Sequence, residues 1–226
     1  MRAFGPVTAT LQGRLALSSP AILVAAFCFA WLVGIVAGLV VLANYATRTP
    51  ESVHPSTQWP VESHLPIKPG CISVVLFLHP RCPCSSATLS ELCRILARTP
   101  AGCTITIAFF APTSEPEEWR DTALRRRAAS LGGVRIVDDI DAREATLFGA
   151  VNSGHVVVFG PDGALRFSGG ITASRGHEGD NMGEDCVLAS MFGQRPVALT
   201  TPTFGCEIVS ANVGDLCPLC KQGLVP

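Results

Sequence analysis

The stretch "CISVVLFLHPRCPCSSATLSEL" (residues 71–92) decides the fold reading. Its first nine residues, Cys71 to His79, form an almost unbroken apolar run of strand length. Such a run is expected of a strand covered on both faces. A helix is predicted next, from about Pro83 to Arg98. Leu89, Leu92, Cys93 and Leu96 fall at i, i+3, i+4 and i+7, which makes one buried stripe. At the junction stand Cys82, Pro83 and Cys84. Proline suits the first helical position, because its missing N–H would be unpaired there anyway. A thiol at a helix N-terminus ionises more readily, because unpaired N–H groups and the helix dipole favour negative charge. The trio can therefore be read as a redox centre, as part of a metal site, or as two buried thiols.

The pattern continues downstream. "CTITIAFF" (103–110) and "VRIVD" (134–138) read as two further strands. Between them, Ser114 with Glu117 makes a capping-box pattern, and a helix is expected to follow to about Leu131. Ala142 to Phe148 reads as a short helix. "HVVVF" (155–159), a "GPDG" turn and "ALRFSG" (164–169) read as an antiparallel hairpin. A last helix is expected from about Gly179 to Phe192, with Asp180 or Asn181 as its cap. The order β-α-β-α-β-α-β-β-α implies an α/β sheet with helices on both faces.

Upstream lies a different kind of sequence. No charged residue occurs from Leu15 to Thr47. As a helix, Ala21 to Ala43 would be roughly 34 Å long, enough for a bilayer core of about 30 Å. A signal-peptide core is shorter, about 7–15 residues. "ANYA" (43–46) also places Asn44 where a cleavage site wants a small residue. The expectation is an uncleaved transmembrane anchor over 21–43, with a cytoplasmic N-terminus over 1–20. Arg2 and Arg14 precede the span and Arg48 alone follows closely, which favours the bulk of the chain outside the membrane. Pro50, Pro55, Pro60, Pro66 and Pro69 make 44–70 read as a semi-rigid stalk. The folded domain is expected over 71–193, with a cysteine-containing tail over 194–226.

The net charge of −1 supplies no global basic field, so nucleic acid is not an expected partner. No P-loop, dinucleotide fingerprint or H-E-x-x-H motif occurs. There are ten cysteines. Outside the cytoplasm such cysteines can be oxidised; thiolates in loops also hold soft metals. A copper or zinc site would draw on His79, Cys82 and Cys84, with Cys206 and the Cys217-Pro-Leu-Cys220 pair of the tail. His79 reads equally well as a strand-end histidine bonded to backbone. Cys71 and Cys103 should begin neighbouring strands, and Cys93 and Cys186 read as buried. "SRGHEGDN" (174–181) offers His177 as a candidate loop residue, or only a capped connection.

With these elements in hand, residues 71–193 resemble the thioredoxin-like superfamily. The extra β-α before the hairpin resembles TlpA-type thiol reductases and peroxiredoxins. "HPRCPCSSATLSEL" (79–92) sits where that family carries its redox cysteines. "SGGITASRGHEGDN" (168–181) and "TFGCEI" (203–208) resemble membrane-anchored bacterial proteins called RedB-like. The resemblance implies thiol–disulfide oxidoreductase activity on protein thiols and disulfides. It also implies a soluble domain on the periplasmic side of a bacterial inner membrane. Cys82, expected to be the more exposed thiol, would attack and Cys84 would resolve. Family members have two residues between these cysteines; here there is one. A small strained ring raises the reduction potential, so an oxidising or isomerising role follows. Gly154 stands where the family has a cis-proline. Two other readings stay open: a metal-delivery protein for respiratory-enzyme assembly, and a non-catalytic interaction domain.

Overall fold

The computed structural model describes residues 19–47 and 55–209. The chain divides into two compact units, Met1–Tyr45 and Ala46–Pro226. Helix α1 (Ser19–Thr47), nearly all of it in the first, carries the apolar run. Its stretch Pro20–Ala46 has a mean hydropathy of 2.6 and buries nothing against protein. Phe27, Phe29, Trp31 and Leu39 are all exposed on it. Among the described residues this is the one helix long and apolar enough to cross a membrane, and it suits an anchor or a secretion signal alike.

The second unit is built on a mixed sheet. Its strands are β1 (Ser73–Leu78), β2 (Thr104–Ala111), β3 (Val134–Ile140), β4 (His155–Phe159), β5 (Leu165–Gly170) and β6 (Thr200–Thr201). The spatial order is β3-β2-β1-β4-β5-β6. Strand β1 runs parallel to β2 and antiparallel to β4, with Ser73 opposite both Thr104 and Phe159. The helices are α2 (Ser85–Leu96), α3 (Ala123–Ala129), α4 (Arg143–Phe148) and α5 (Met182–Met191). Up to α5 this is the element order expected from the sequence; β6 is additional.

Strand β1 is the centre of the core because both of its faces are apolar. Val74, Leu76 and Leu78 pack toward α2 and α5 with Leu89, Leu92, Ile95 and Val187. Val75 and Phe77 point the other way, toward Phe148 and Phe159. Side chains alternate across a strand, so one apolar run supplies two cores. Each such side chain, fully buried, contributes about 1.5–3 kcal/mol.

Several boundaries differ from expectation. Residues 55–70 are packed on the domain and are not a free stalk. Trp59 donates its N–H to Gly163 at 2.9 Å and stacks edge-on against Phe148 and Phe159. The carboxylate of Glu144 accepts from Ser63 Oγ and from the His64 N–H. Residues 194–209 are likewise part of the domain: β6 pairs with β5, and Ile208 donates to Val151 at 2.7 Å. The Ser114–Glu117 capping box does not form. A single 3₁₀ turn covers Glu117–Arg120, and α3 starts only after Thr122, whose hydroxyl caps the Arg125 N–H. Trp119 is turned onto His79 and Phe110, which breaks the helix that the pattern predicts.

Candidate functional site

The site is assembled where β1 ends. His79 closes the strand, and a turn follows in which Cys82 donates its N–H to His79 and Ser85 donates to Cys82, both at 3.1 Å. Helix α2 therefore begins at Ser85 rather than Pro83, with Cys84 in the N-cap position. That turn is held from behind by Ser153. Its hydroxyl accepts from the His79 N–H at 2.8 Å and lies 2.6 Å from Ser85 Oγ. Neighbouring Gly154 donates to Phe77 at 2.8 Å and has φ +92°, a conformation open to glycine. A Cβ there would also lie 3.0 Å from Thr88 Oγ1. Gly154 thus stands directly behind the cysteine turn, at the position that the resemblance gives to a cis-proline.

A third segment completes the site. Residues 204–208 cross in front of Ser153, which donates to the Cys206 carbonyl at 2.8 Å. Asn152 and Glu207 form a bridge beside it. The backbone N–H of Cys206 points at Cys82 Sγ, 3.3 Å away. Arg175 donates to the Gly205 carbonyl at 3.1 Å and also bonds the Cys84 sulfur. Cys82, Cys84 and Cys206 are brought together, none of them in a disulfide.

The exposure of the pair is the reverse of the expectation. Cys82 is 3% exposed, whereas Cys84 is half-buried. The cause is the tight turn, which aims Cys82 inward under the 204–206 segment and leaves Cys84 at the mouth with exposed Pro83. Charge follows the opposite rule. Hydrogen bonds from the Cys206 side chain, then from Cys84, Ser85 and the Cys206 N–H, hold the Cys82 thiol far below its ordinary range despite burial. The same bond to Cys82, reinforced by burial and by the Cys82 charge, holds Cys84 far above its own range. Both shifts point the same way: negative charge is favoured on Cys82 over Cys84.

His79 is engaged through one ring nitrogen and packed on both ring faces. Its Nδ1 accepts the Arg81 N–H at 3.1 Å, and its ring packs between Phe110 and Trp119. Arg81 in turn stacks on Trp119, 5.1 Å from the ring centre. Burial lowers the pKa of His79 to about 4. His177 is exposed, with its N–H bonded to Ser174; the bonds that set the sulfurs run through Cys206, Ser85 and Arg175 instead. Among the described residues no group of three or more His, Cys, Asp or Glu is arranged to hold a metal ion. Cys217 and Cys220 lie outside the described residues. Cys186 is buried as expected; Cys93, Cys71 and Cys103 are half-buried. Ser85, Ser153 and Arg175 had no signal of their own, although Arg175 falls inside the "SRGHEGDN" stretch.

Two buried histidines and one buried aspartate make stability depend on pH. His155 is held at about 4 by burial, with Nε2 2.7 Å from Ser168 Oγ. Asp139 is pushed up to about 6 by burial, against the N–H groups of Ala145 and Glu144 that it accepts. Between pH 6.5 and 4 the unfolded chain takes up protons at both histidines that the folded chain refuses. Stability is lost there by roughly 3 kcal/mol per histidine. Asp139 acts in the opposite sense: its folded form binds a proton first, and acidification from 6 to 3.8 returns roughly 3 kcal/mol. The net expectation is a loss on acidification: the two histidines outweigh Asp139, and Cys82, held far below its ordinary range, loses stability in the same sense as the pH falls. Urea midpoints at pH 7, 5.5 and 4 check this; a flat or rising profile contradicts it.

No protein-family model matches the chain, and no curated protein matches it. Solved structures do. A hypothetical protein from Sinorhizobium meliloti 1021 is 18% identical, with a TM-score of 0.55 over 73% of this chain and 100% of its own. An uncharacterized conserved protein from Geobacillus kaustophilus is 18% identical, with a TM-score of 0.52 over 74% of this chain and 96% of its own. A secreted Mycobacterium tuberculosis disulfide oxidoreductase homologous to E. coli DsbE is 14% identical, with a TM-score of 0.41 over 55% and 83%. At such identities likeness establishes architecture alone, and the architecture is a thioredoxin-like α/β mixed sheet.

Proposed function

We propose that this chain is a thiol–disulfide oxidoreductase, anchored by α1 and acting outside the cytoplasmic membrane through Cys82-Pro83-Cys84. The single observation that carries the reading is the Cys206 N–H on the Cys82 sulfur at the mouth of α2. It separates two requirements of exchange chemistry: charge is stabilised on Cys82 while access belongs to Cys84.

This division favours the oxidising direction. In the Cys82–Cys84 disulfide, an incoming substrate thiolate meets the outer sulfur, Cys84. The S–S bond breaks, and its electron pair leaves on Cys82, where the Cys206 and Ser85 donors wait. A good leaving thiolate leaves faster. The product is a Cys84–substrate mixed disulfide. A second substrate thiolate then attacks the substrate sulfur, and Cys84 departs and takes a proton. Two electrons pass from a protein dithiol to the cysteine pair. Stabilising the reduced form in this way makes a disulfide oxidising. An external disulfide must reoxidise the pair. Membership of the RedB-like group belongs to the same proposal, supported by the 168–181 and 203–208 motifs that prove to flank the sulfurs.

The test uses the full chain in detergent, a dithiol peptide and oxidised glutathione. The chain is expected to accelerate peptide oxidation well above the buffer rate. A rate equal to that of protein alkylated on its thiols overturns the reading.

A further inference from the structure

We infer that Cys206 is a third redox residue, which takes Cys82 into a second intramolecular disulfide. The inference rests on the exchange reading above and adds a partner to it. Cys206 N lies 3.3 Å from Cys82 Sγ. An N–Cα bond of about 1.46 Å then puts the Cys206 Cα no farther than about 4.8 Å from that sulfur. A disulfide needs Cα atoms about 4.4–6.8 Å apart, a range compatible with this approach. The Cys206 side chain already bonds the Cys82 sulfur.

The approach is built, not casual. Three contacts clamp the segment: Ser153 N–H on the Cys206 carbonyl, Arg175 on the Gly205 carbonyl, and the Asn152–Glu207 bridge. Cys82 thus has two thiols beside it. Cys84 faces outward; Cys206 comes from the segment after β6. Both contacts converge on the same sulfur, so the two disulfides are mutually exclusive.

The exchange balances without an added reagent. The Cys206 thiolate attacks Cys82 Sγ of the Cys82–Cys84 disulfide. The Cys82–Cys206 bond forms and the Cys82–Cys84 bond breaks. The electron pair leaves on Cys84, which takes the proton that Cys206 gave up. No net oxidation occurs. The disulfide moves from Cys84 to Cys206, and Cys84 is returned as a thiol.

The test oxidises the full-length Cys84→Ser variant with oxidised glutathione, blocks remaining thiols by alkylation, and maps peptides without reduction. A linked Cys82–Cys206 peptide is expected as the main intramolecular disulfide, absent from the Cys84→Ser/Cys206→Ser double variant. Cys82 and Cys206 recovered separately, alkylated or each carrying glutathione, overturns the inference. Should Cys84→Ser fail to fold, the wild-type chain is oxidised and acid-quenched over time. The same linked peptide is then expected to accumulate, and its absence at every time overturns the inference. The two proposals fail separately: peptide oxidation without a Cys82–Cys206 link sinks only this one, and the link without peptide oxidation sinks only the catalytic one.

Discussion

Replacing Cys82 by serine is expected to reduce dithiol-peptide oxidation to the rate of buffer alone. The argument has two parts. A serine hydroxyl forms no disulfide with Cys84, so the two electrons of the substrate have nowhere to go. The donors from Cys206, Cys84 and Ser85 also converge on position 82, so no other sulfur inherits the stabilised charge. The bond that lowers the Cys82 thiol raises that of Cys84, and removal of Cys82 lifts this effect without giving Cys84 those donors. The substitution is nearly isosteric at a site 3% exposed, and loss of fold is not expected. Two measurements belong together: the peptide oxidation rate, and the thiolate ultraviolet absorbance at pH 5. Both should vanish in Cys82→Ser and persist in Cys93→Ser, whose half-buried thiol lies more than two turns along α2 from Cys84. Retained activity in the Cys82 variant would remove the catalytic assignment.

How much of this was legible in the sequence differs from part to part. The sheet was, because β1, β2 and β4 are continuous apolar runs whose period of two feeds both cores. The placement of the cysteines between β1 and α2 was also legible. The inside of α2 was not. Ser85, Thr88 and Glu91 are all buried, although polar residues at that spacing read as a solvated face. Each is buried because a partner arrives from far along the chain. Ser153 meets Ser85, Gly154 backs on Thr88, and the Gly179 N–H with the Asn181 amide reaches Glu91. Cys206 and Cys82 are 124 residues apart, and no local pattern announces their contact. The reversal of exposure between Cys82 and Cys84 has the same origin: the cover over Cys82 comes from residues that composition alone assigns to a tail. Proline spacing misleads over 55–70 for a related reason. Extended chain without its own hydrogen bonds can be free, or it can lie along a sheet edge and borrow them, as Trp59 does from Gly163.

The contact that links charge to cover can be opened at one atom. At Gly205 a Cβ would sit 1.8 Å from the Ser153 carbonyl oxygen and 2.7 Å from its carbon. Gly205 is not among the residues with positive φ, so alanine suits its backbone and the effect is one of space alone. Backbone cannot yield as a flexible side chain does, so Gly205→Ala must push the 204–206 segment away by more than an ångström. Two bonds go with it: Ser153 N–H to the Cys206 carbonyl, at 2.8 Å, and Cys206 N–H to Cys82 Sγ, at 3.3 Å. Overpacking of this kind costs about 1–3 kcal/mol. The larger consequence is electrostatic. Donors to a thiolate favour its charged form, and their loss moves the Cys82 pKa upward. The thiolate titration, taken as the difference in absorbance between Gly205→Ala and its Cys82→Ser derivative, is expected to shift up by about one pH unit or more. One unit is tenfold in thiolate stabilisation, and peptide oxidation should slow by a comparable factor as the leaving group worsens. Gly132→Ala is the matched control, because a Cβ there meets open space. An unshifted titration in a folded Gly205→Ala protein would mean that the 204–206 segment covers Cys82 without setting its charge, and the direction of electron flow argued from that charge would have to be given up.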